Sequence, residues 1–222
     1  MNHGISTLCN ELGIELSISA MCISLPHMIE DIEVAIADGI SSVHVDIVEP
    51  RWGPPAMSLR NIGDLKHAIG VPIDVHLMVS DSRQYIDEAF RYGANRIMIP
   101  HHHISAIYGP ERGSYPSNVV PVFESSEANE AMKWNCKLCL VMSVQPGDAG
   151  RPFEYDAIET VRGITSTDPK AKVFSDGSVS SKTGRSLYRA GSRGFVIGSS
   201  LMPERRYDRG SIMRFCEELG KE

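Results

Sequence analysis

The chain has 222 residues, of which 42% are hydrophobic and 23% charged, and its formal net charge is −6 at pH 7. This composition supports a sizeable core and excludes a disordered chain, and no run approaches the roughly 18 consecutive apolar residues of a membrane span. A mildly acidic balance without a block of basic residues argues against nucleic acid or a membrane surface as partner, so we expect a small molecule.

The predicted elements begin with an amino-terminal extension, residues 1–13, in which Ile5 to Leu12 fit a short helix that would cover the bottom of a barrel. Over residues 14–222, short β-branched runs alternate about eight times with longer amphipathic segments. The strand-like runs are Leu16 to Ala20, Ser42 to Val48, Pro72 to Met78, Arg96 to Ile99, Val119 to Phe123, Lys137 to Val144, Lys172 to Ser175 and Gly194 to Gly198. The helical segments are Pro26 to Ala37, Leu59 to Ala68, Ser82 to Tyr92, Glu127 to Trp134, Tyr155 to Gly163, Ser181 to Ala190 and Arg209 to Leu219. Eight regular strand–helix units predict an α/β protein whose parallel sheet closes into a single (β/α)8 TIM barrel.

One unit is irregular. Residues 101–118 contain two prolines and two glycines where the fourth helix should lie, so we expect that helix to be shortened or missing. The same stretch opens with His101-His102-His103, which has the composition of a metal-binding tract. Adjacent residues of an extended chain point in alternate directions, so all three cannot bind one ion. We interpret them as an exposed loop.

The amino terminus lacks a basic region followed by an apolar stretch, so we expect no secretory signal. The five cysteines are an odd, irregularly spaced set in a chain large enough to fold without disulfides. We interpret them as buried structural thiols. Together these features predict a cytoplasmic protein.

Polar side chains alternate with apolar ones in three of the strand-like runs. Because the active site of a barrel is built at the carboxyl ends of its strands, these side chains are expected to converge. The residues that the three runs place on one face or at the strand tip are His44, Asp46, Asp74, His76, Met78 and Asp176. The two histidines and two of these three aspartates would offer N and O ligands for Zn²⁺ or Fe²⁺. The other interpretation is that they are core polar groups satisfied by one another.

Three glycine-containing loops follow the last predicted strands, at residues 145–150, 176–178 and 197–200. Loops in these positions of a barrel expose backbone N–H groups and often form a phosphate site. Tight turns that bind no ligand are the other interpretation. The sequence thus favours a site for an anionic ligand at the carboxyl ends of these strands.

Taken together, the motifs resemble those of the ribulose-phosphate 3-epimerase family, from Leu16 to about Met202. The motifs that carry the resemblance are Leu16-Ser17-Ile18-Ser19, His44-Val45-Asp46, Asp74-Val75-His76-Leu77-Met78-Val79, Met142-Ser143-Val144-Gln145-Pro146-Gly147, Ser175-Asp176-Gly177-Ser178 and Ile197-Gly198-Ser199. The family's fold is a (β/α)8 barrel. Its reaction inverts C3 of a ketose phosphate, so the resemblance implies a metal-dependent epimerase, with ribulose 5-phosphate to xylulose 5-phosphate as the leading reaction.

The resemblance also implies roles for individual residues. The catalytic pair would be Asp46 and Asp176. One divalent ion, Zn²⁺ or Fe²⁺ ahead of Mn²⁺ or Co²⁺, would be held by His44, Asp46, His76 and Asp176. The substrate, a small phosphorylated ketose, would contact Ser19, His76, Met78, Met142, Gly147, Asp148, Ala149, Gly150, Gly177, Ser178, Gly198 and Ser199. We also expect a homo-oligomer.

Other functions stay open at this point. The Ser19-Ala20-Met21-Cys22 segment, Ala149 and Ser178 are similar to the branch of the family that acts on allulose 6-phosphate. A barrel that binds a sugar phosphate without turnover is a second alternative, and Asp148, which would repel a phosphate unless it points outward or pairs with Arg151, keeps that alternative open. A relative of orotidylate decarboxylase or hexulose-phosphate synthase would be expected to carry Asp-x-Lys-x-x-Asp, and the sequence lacks it.

Overall fold

A parallel barrel is the centre of the molecule, as a computed structural model shows for residues 4–54, 57–109, 114–134, 136–147 and 150–221. Within these residues, eight strands close in chain order, and β1 pairs with both β2 and β8. The strands are β1 (Glu15–Ser19), β2 (Ser42–Val48), β3 (Ile73–Met78), β4 (Arg96–Pro100), β5 (Val119–Phe123), β6 (Leu138–Met142), β7 (Lys172–Asp176) and β8 (Gly194–Ile197). The helices are α1 (Ile5–Leu12), α2 (Met28–Asp38), α3 (Leu59–Ala68), α4 (Arg83–Arg91), α5 (His101–Tyr108), α6 (Ala128–Ala131), α7 (Asp156–Thr167), α8 (Ser181–Ala190) and α9 (Arg209–Leu219). The predicted TIM barrel is confirmed.

Strand alternation divides the buried side chains into two cores. The larger core lies between the strands and the surrounding helices and includes the fully buried Ile18, Val43 and Val75. A second, smaller cluster fills the barrel interior. Its buried members are Met98, Val120, Val122, Leu140, Met142, Val144, Phe174 and Val196. This apolar interior supports the polar groups that lie above it, at the carboxyl ends of the strands.

The amino-terminal end of the barrel interior is closed by ion pairs. Asp74, which is fully buried, accepts two hydrogen bonds of 2.6 Å from the guanidinium of Arg96. The Lys172 amine pairs with the Glu15 carboxylate close by in the same end layer. Asp74 shares a face of β3 with His76, as its spacing predicts, but it lies one layer lower and is satisfied by Arg96.

The helix in the amino-terminal extension, α1, packs against the last helix, α9. It ends at Gly13, whose φ of 63° lies in the left-handed region, where a glycine is accommodated without strain. The Tyr188 hydroxyl donates a hydrogen bond of 3.1 Å to the Leu12 carbonyl. The two ends of the described chain are thereby joined at one side of the barrel.

The fourth helical unit has a short helix, which is one of the two outcomes that the sequence predicted. An eight-residue helix, α5, follows β4, so the fourth helix is short but present; residues 110–113 lie outside the described part. The interpretation of His101-His102-His103 as an exposed loop was wrong, because these residues form the first turn of α5. The His101 ring stacks on Phe123 with centroids 5.1 Å apart, and its Nε2 lies 3.1 Å from a Glu127 carboxylate oxygen.

The shortest of the described helices follows β5 instead. Helix α6 covers only Ala128–Ala131, although a helix over Glu127 to Trp134 was expected. The five cysteines are all free and buried, as predicted. Among the described residues, no helix has the length and apolar character needed to cross a membrane.

Candidate metal centre and active site

Four polar side chains meet at the carboxyl ends of three strands. His44 and Asp46 come from β2, His76 comes from β3, and Asp176 is the last residue of β7. The register of the parallel pair sets Asp46 beside His76. One ligand atom from each of the four lies within 4.8 Å of the others, and among the described residues this is the group that could hold a metal ion. The four predicted ligands therefore do come together.

The contacts within the cluster are those of groups that share a centre. His44 Nε2 lies 3.3 Å from an Asp46 oxygen and 3.4 Å from an Asp176 oxygen. His76 Nδ1 lies 3.2 Å and 3.9 Å from the same two carboxylate groups. Each histidine thus faces both aspartates. Both rings are buried, whereas 16% of the Asp176 side chain is exposed, which places Asp176 nearest to solvent.

The donor set fits a divalent cation. Neither ring nitrogen of His44 makes a hydrogen bond to any described residue, although the ring is fully buried. Unsatisfied buried polar atoms are costly, so each one calls for a partner. Two imidazole nitrogens and two carboxylates are the ligand types that Zn²⁺ and Fe²⁺ accept. A cation among the four groups would supply the partner that His44 Nε2 lacks.

The charges within the cluster also favour a bound cation. Burial by itself would lower the pKa of His44, but the negative charges of Asp46 and Asp176 outweigh burial and raise it to about 9. Burial would raise the pKa of Asp46, yet His44 and His76 hold it well below its usual range. Burial raises the pKa of Asp176, and the neighbouring Asp46 charge raises it further. The cluster attracts positive charge, and its two carboxyl groups differ in proton affinity.

A pocket opens directly above the cluster and collects the residues that the sequence assigned to substrate. Ser19 stands beside His44 in the β1–β2 register, and Met142 stands beside Asp176 in the β6–β7 register. The predicted substrate residues that line the pocket are Ser19, Met78, Met142, Gly147, Gly150, Gly177, Ser178, Gly198 and Ser199. His76 lines an adjoining cavity. Asp148 and Ala149 lie outside the described residues.

The loops around this pocket are in close contact with one another. A Cβ added at Gly147, where φ is 118°, would lie 2.0 Å from the Trp52 carbonyl oxygen, and a Cβ at Gly53 would lie 2.1 Å from the Gly147 carbonyl oxygen. Arg151 Nη2 donates to the Trp52 carbonyl at 3.3 Å, and the Ser178 hydroxyl donates to the Arg151 carbonyl. The loops after β2, β6 and β7 are thereby joined.

The sequence prediction did not include Gly53, Trp52 or Arg151 in the site. The available signal was a glycine beside an aromatic residue shortly after β2, which is consistent with a close backbone approach. The pairing of this glycine with one 94 positions later depends on how the barrel brings loops together. Periodicity within a single element does not reveal it.

An adjoining cavity of about 170 Å³ continues from the cluster toward β4 and β5. It shares Met78 and Met142 with the first pocket, so the two methionines stand between the two spaces. Its polar lining includes Arg51, His76, His102, His103 and the two carboxylates of Glu124 and Glu127, which follow β5. The histidines of α5 therefore border the site, although the sequence prediction set them aside.

Comparison with known proteins gives consistent results. The sequence profile of the ribulose-phosphate 3 epimerase family matches residues 15–202. A ribulose-phosphate 3-epimerase of Aquifex aeolicus is 27% identical over 182 residues, which cover 78% of this chain and 82% of that protein. One from Bacillus subtilis is 26% identical over 195 residues, covering 83% and 88%.

Solved structures with the same fold share much less sequence. A phosphoribosyl anthranilate isomerase from Thermus thermophilus superposes with a TM-score of 0.64 at 12% identity, covering 93% of this chain and 98% of that one. An orotidine 5'-phosphate decarboxylase from Pyrococcus horikoshii gives 0.62 at 14% identity, with 93% and 100% coverage. At these identities, the similarity concerns the barrel fold alone.

Proposed function

The chain belongs to the ribulose-phosphate 3-epimerase family, and on that premise we propose that it is a metal-dependent epimerase that inverts C3 of a ketose phosphate. The leading reaction is ribulose 5-phosphate to xylulose 5-phosphate. The observation that carries the proposal is the buried cluster of two histidines and two aspartates at the base of a loop-lined pocket.

The four residues His44, Asp46, His76 and Asp176 are the proposed ligands of one divalent ion, with Zn²⁺ or Fe²⁺ favoured over Mn²⁺ or Co²⁺. A bound ion would supply Lewis-acid stabilisation of the negative charge that develops on the sugar when C3 loses its proton. Two observations support this assignment: His44 Nε2 makes no hydrogen bond to a described residue, and the two carboxylates lie close to it.

Asp46 and Asp176 are the proposed acid and base. One carboxylate removes the proton from C3, and the other carboxyl group returns a proton to the opposite face, with the roles exchanged in the reverse direction. Their environments push the two pKa values apart, Asp46 downward and Asp176 upward, which is the pattern expected of an acid and base pair. Met78 and Met142 exclude water from the reacting carbon, and Ser19 and His76 contact the substrate.

The phosphate is placed among the loops after β6, β7 and β8. Backbone N–H groups of such loops suit an anion. The proposal assigns Gly147, Gly150, Gly177, Ser178, Gly198 and Ser199 to it, and it extends to Asp148 and Ala149 from the sequence alone.

Metal analysis of the purified protein, combined with deuterium uptake at C3 in D₂O, tests this function. We expect about one divalent ion per chain, and exchange at C3 of ribulose 5-phosphate that stops when a chelator removes the ion and returns when Zn²⁺ or Fe²⁺ is added. A metal-free protein that exchanges no C3 proton of any ketose phosphate would instead be a barrel that binds without turnover.

Allulose 6-phosphate is the second candidate substrate. The small residues Ala20, Cys22 and Ser178 favour it through their similarity to the branch that acts on this hexulose phosphate. Comparing kcat/KM for the two sugars decides between them, because the preferred substrate has the higher value. Assembly into a homo-oligomer and a cytoplasmic location stay predictions.

A further inference from the structure

We propose that the guanidinium group of Arg151 binds the phosphate of the substrate directly, so that the phosphate is held by a side-chain charge as well as by backbone N–H groups. This inference rests on the proposed function, since it needs a phosphorylated substrate in the pocket above the metal cluster. It differs from the sequence expectation, in which the anion is held by the backbone N–H groups of the glycine-containing loops.

The position of Arg151 is the first support. Its side chain lines the same pocket as Gly147 and Gly177 and the residues that follow β8. It comes immediately after the loop that the sequence assigned to phosphate. Arg151 therefore belongs to the part of the pocket, lined by residues after β6, β7 and β8, to which the proposed function assigns the phosphate.

The charge of the pocket is the second support. Among the described residues that line this pocket, Arg151 is the one with a positively charged side chain, whereas Asp46 and Asp176 contribute carboxylates. A phosphate dianion that enters a pocket containing two carboxylates needs compensation, because like charges repel strongly where water is excluded. A metal ion held by the four-residue cluster would offset the charge near the sugar, and Arg151 would offset the charge of the phosphate.

The third support is the way the side chain is held. Arg151 Nη2 donates one hydrogen bond to the Trp52 carbonyl, and the Ser178 hydroxyl binds the Arg151 backbone. Among the described residues, the guanidinium uses one of its five donors in this contact. Arginine is suited to phosphate because its planar donors bind two oxygens at once. Contacts from two neighbouring loops fix it before the ligand arrives, which reduces the entropy lost on binding.

The test uses Arg151→Met and Arg151→Lys in the metal-loaded protein, with Arg162→Met as control. Arg162 is exposed on α7 and pairs with Glu159, so its replacement removes the same charge outside the pocket. Titration calorimetry measures binding of inorganic phosphate, and steady-state kinetics compare ribulose 5-phosphate with unphosphorylated ribulose. Circular dichroism establishes that each variant is folded.

In Arg151→Met we expect KM for ribulose 5-phosphate and the Kd of inorganic phosphate to rise about 10- to 100-fold, the range for losing a hydrogen bond to a charged group. Turnover of ribulose should stay within about 2-fold of wild type, and Arg151→Lys should recover part of the phosphate affinity because it retains the charge. If Arg151→Met does not fold, Arg151→Lys carries the test, with a smaller rise in both constants.

Two results would overturn the inference. Equal losses of kcat/KM on ribulose 5-phosphate and ribulose would mean that Arg151 only holds the loops together. Unchanged phosphate binding in a folded Arg151→Met would mean that backbone N–H groups suffice. A wild-type protein that turns over neither sugar and does not bind phosphate contradicts the proposed function itself, which is a different result from either of these.

Discussion

Asp46 and Asp176 belong to one cluster but have opposite tendencies to hold a proton. Asp46 is almost fully buried, which by itself would raise its pKa, but it faces both histidines, and they hold its pKa well below the usual range. Asp176 is nearer to solvent and carries the added repulsion of Asp46, which raises its pKa. The two carboxyl groups therefore differ in proton affinity, which is what the proposed acid and base roles require.

Replacement of Asp176 by asparagine tests the paired roles. The amide keeps the size of the side chain but removes its proton transfer and weakens its ligation, so epimerisation should fall by about 10²- to 10⁴-fold. Asp64→Asn, on the exposed surface of α3, is the matched control and should keep full activity. Turnover and thermal unfolding are measured together. Wild-type epimerisation in a folded Asp176→Asn protein would rule out the two-carboxylate mechanism.

At this scale the sequence predicts much of the site because strand alternation places His44 and Asp46 on one face, and the family resemblance selects the partners. Strand alternation by itself does not distinguish Asp74 from His76, since both lie on the same face of β3. What separates them is depth in the barrel, where Asp74 meets Arg96. Depth depends on the shear of the closed sheet, which a single strand does not encode.

Among the elements, the contact between the loops after β2 and β6 is the tightest approach around the site. Gly53 and Gly147 let the two backbones approach so closely that an added Cβ would come within about 2 Å of a carbonyl oxygen. Trp52, which takes part in this contact, lines the adjoining cavity. The shape of the site therefore depends on two glycines that carry no chemistry.

Gly147→Ala is expected to damage both stability and activity. The positive φ of 118° costs a non-glycine residue about 1–3 kcal/mol, and the contact with Trp52 forces the loops apart. Gly70→Ala is the control, because nothing lies within 4 Å of its added Cβ, and it should change the free energy of unfolding by less than about 0.5 kcal/mol. Urea denaturation and kcat/KM measure both effects. If Gly147→Ala and Gly70→Ala had the same free energy of unfolding and the same kcat/KM, the contact between the two loops would not be needed to shape the site.

Helices were predicted less well than strands around β4 and β5. The histidines that open α5 lack the amphipathic spacing of a typical helix, and only Ile104 is buried in that helix. Helix α6 is cut to four residues, although Trp134 beyond it is still buried against Phe123. In both units tertiary packing decides the conformation, so local periodicity misplaces the helix boundaries.

The attachment of α2 to the segment before α9 gives a prediction about pH. Asp31 is buried, which by itself would raise its pKa, but hydrogen bonds from Arg206 and the Tyr207 N–H hold the pKa below the ordinary 3.8. The stabilisation is therefore complete above pH 3.8 and is lost as the pH falls through the lowered pKa.

Arg206→Gln should reduce the free energy of unfolding at pH 7, and its difference from wild type should narrow as the pH falls below 3.8. Arg162→Gln, which breaks an exposed pair with Glu159, should have a smaller effect at every pH. Urea unfolding across this range provides the measurement. If the difference in the free energy of unfolding between Arg206→Gln and wild type stayed constant with pH, the assignment of this pH dependence to Asp31 would be wrong.

Across the whole molecule, polar and apolar layers follow one another along the barrel axis. Ion pairs lie at the amino-terminal end, the apolar interior cluster lies above them, and the histidines and aspartates lie at the carboxyl-terminal end. Stability and chemistry are therefore located at opposite ends, and a change at one end is expected to leave the other intact.

Arg96→Met tests this separation. Removing the partner of the fully buried Asp74 should destabilise the fold by about 3–5 kcal/mol, because an uncompensated charge remains in the interior. Lys172→Met breaks a pair that is about two-fifths exposed and should cost less than about 1 kcal/mol. Below the unfolding transition, both variants should retain wild-type kcat/KM. A large loss of activity in folded Arg96→Met would show that the two ends are coupled.

The apolar layer inside the barrel also limits the side from which a ligand can reach the cluster. Met98, Leu140 and Phe174 are fully buried in the barrel interior below the cluster. In the described part of the chain, they close the pocket on its amino-terminal side. In the proposed reaction, substrate and product would then share the carboxyl-terminal side of the barrel, where residues that follow β6, β7 and β8 line the pocket. Because both epimers of the proposed reaction would occupy this same pocket, each is expected to act as a competitive inhibitor of the conversion of the other.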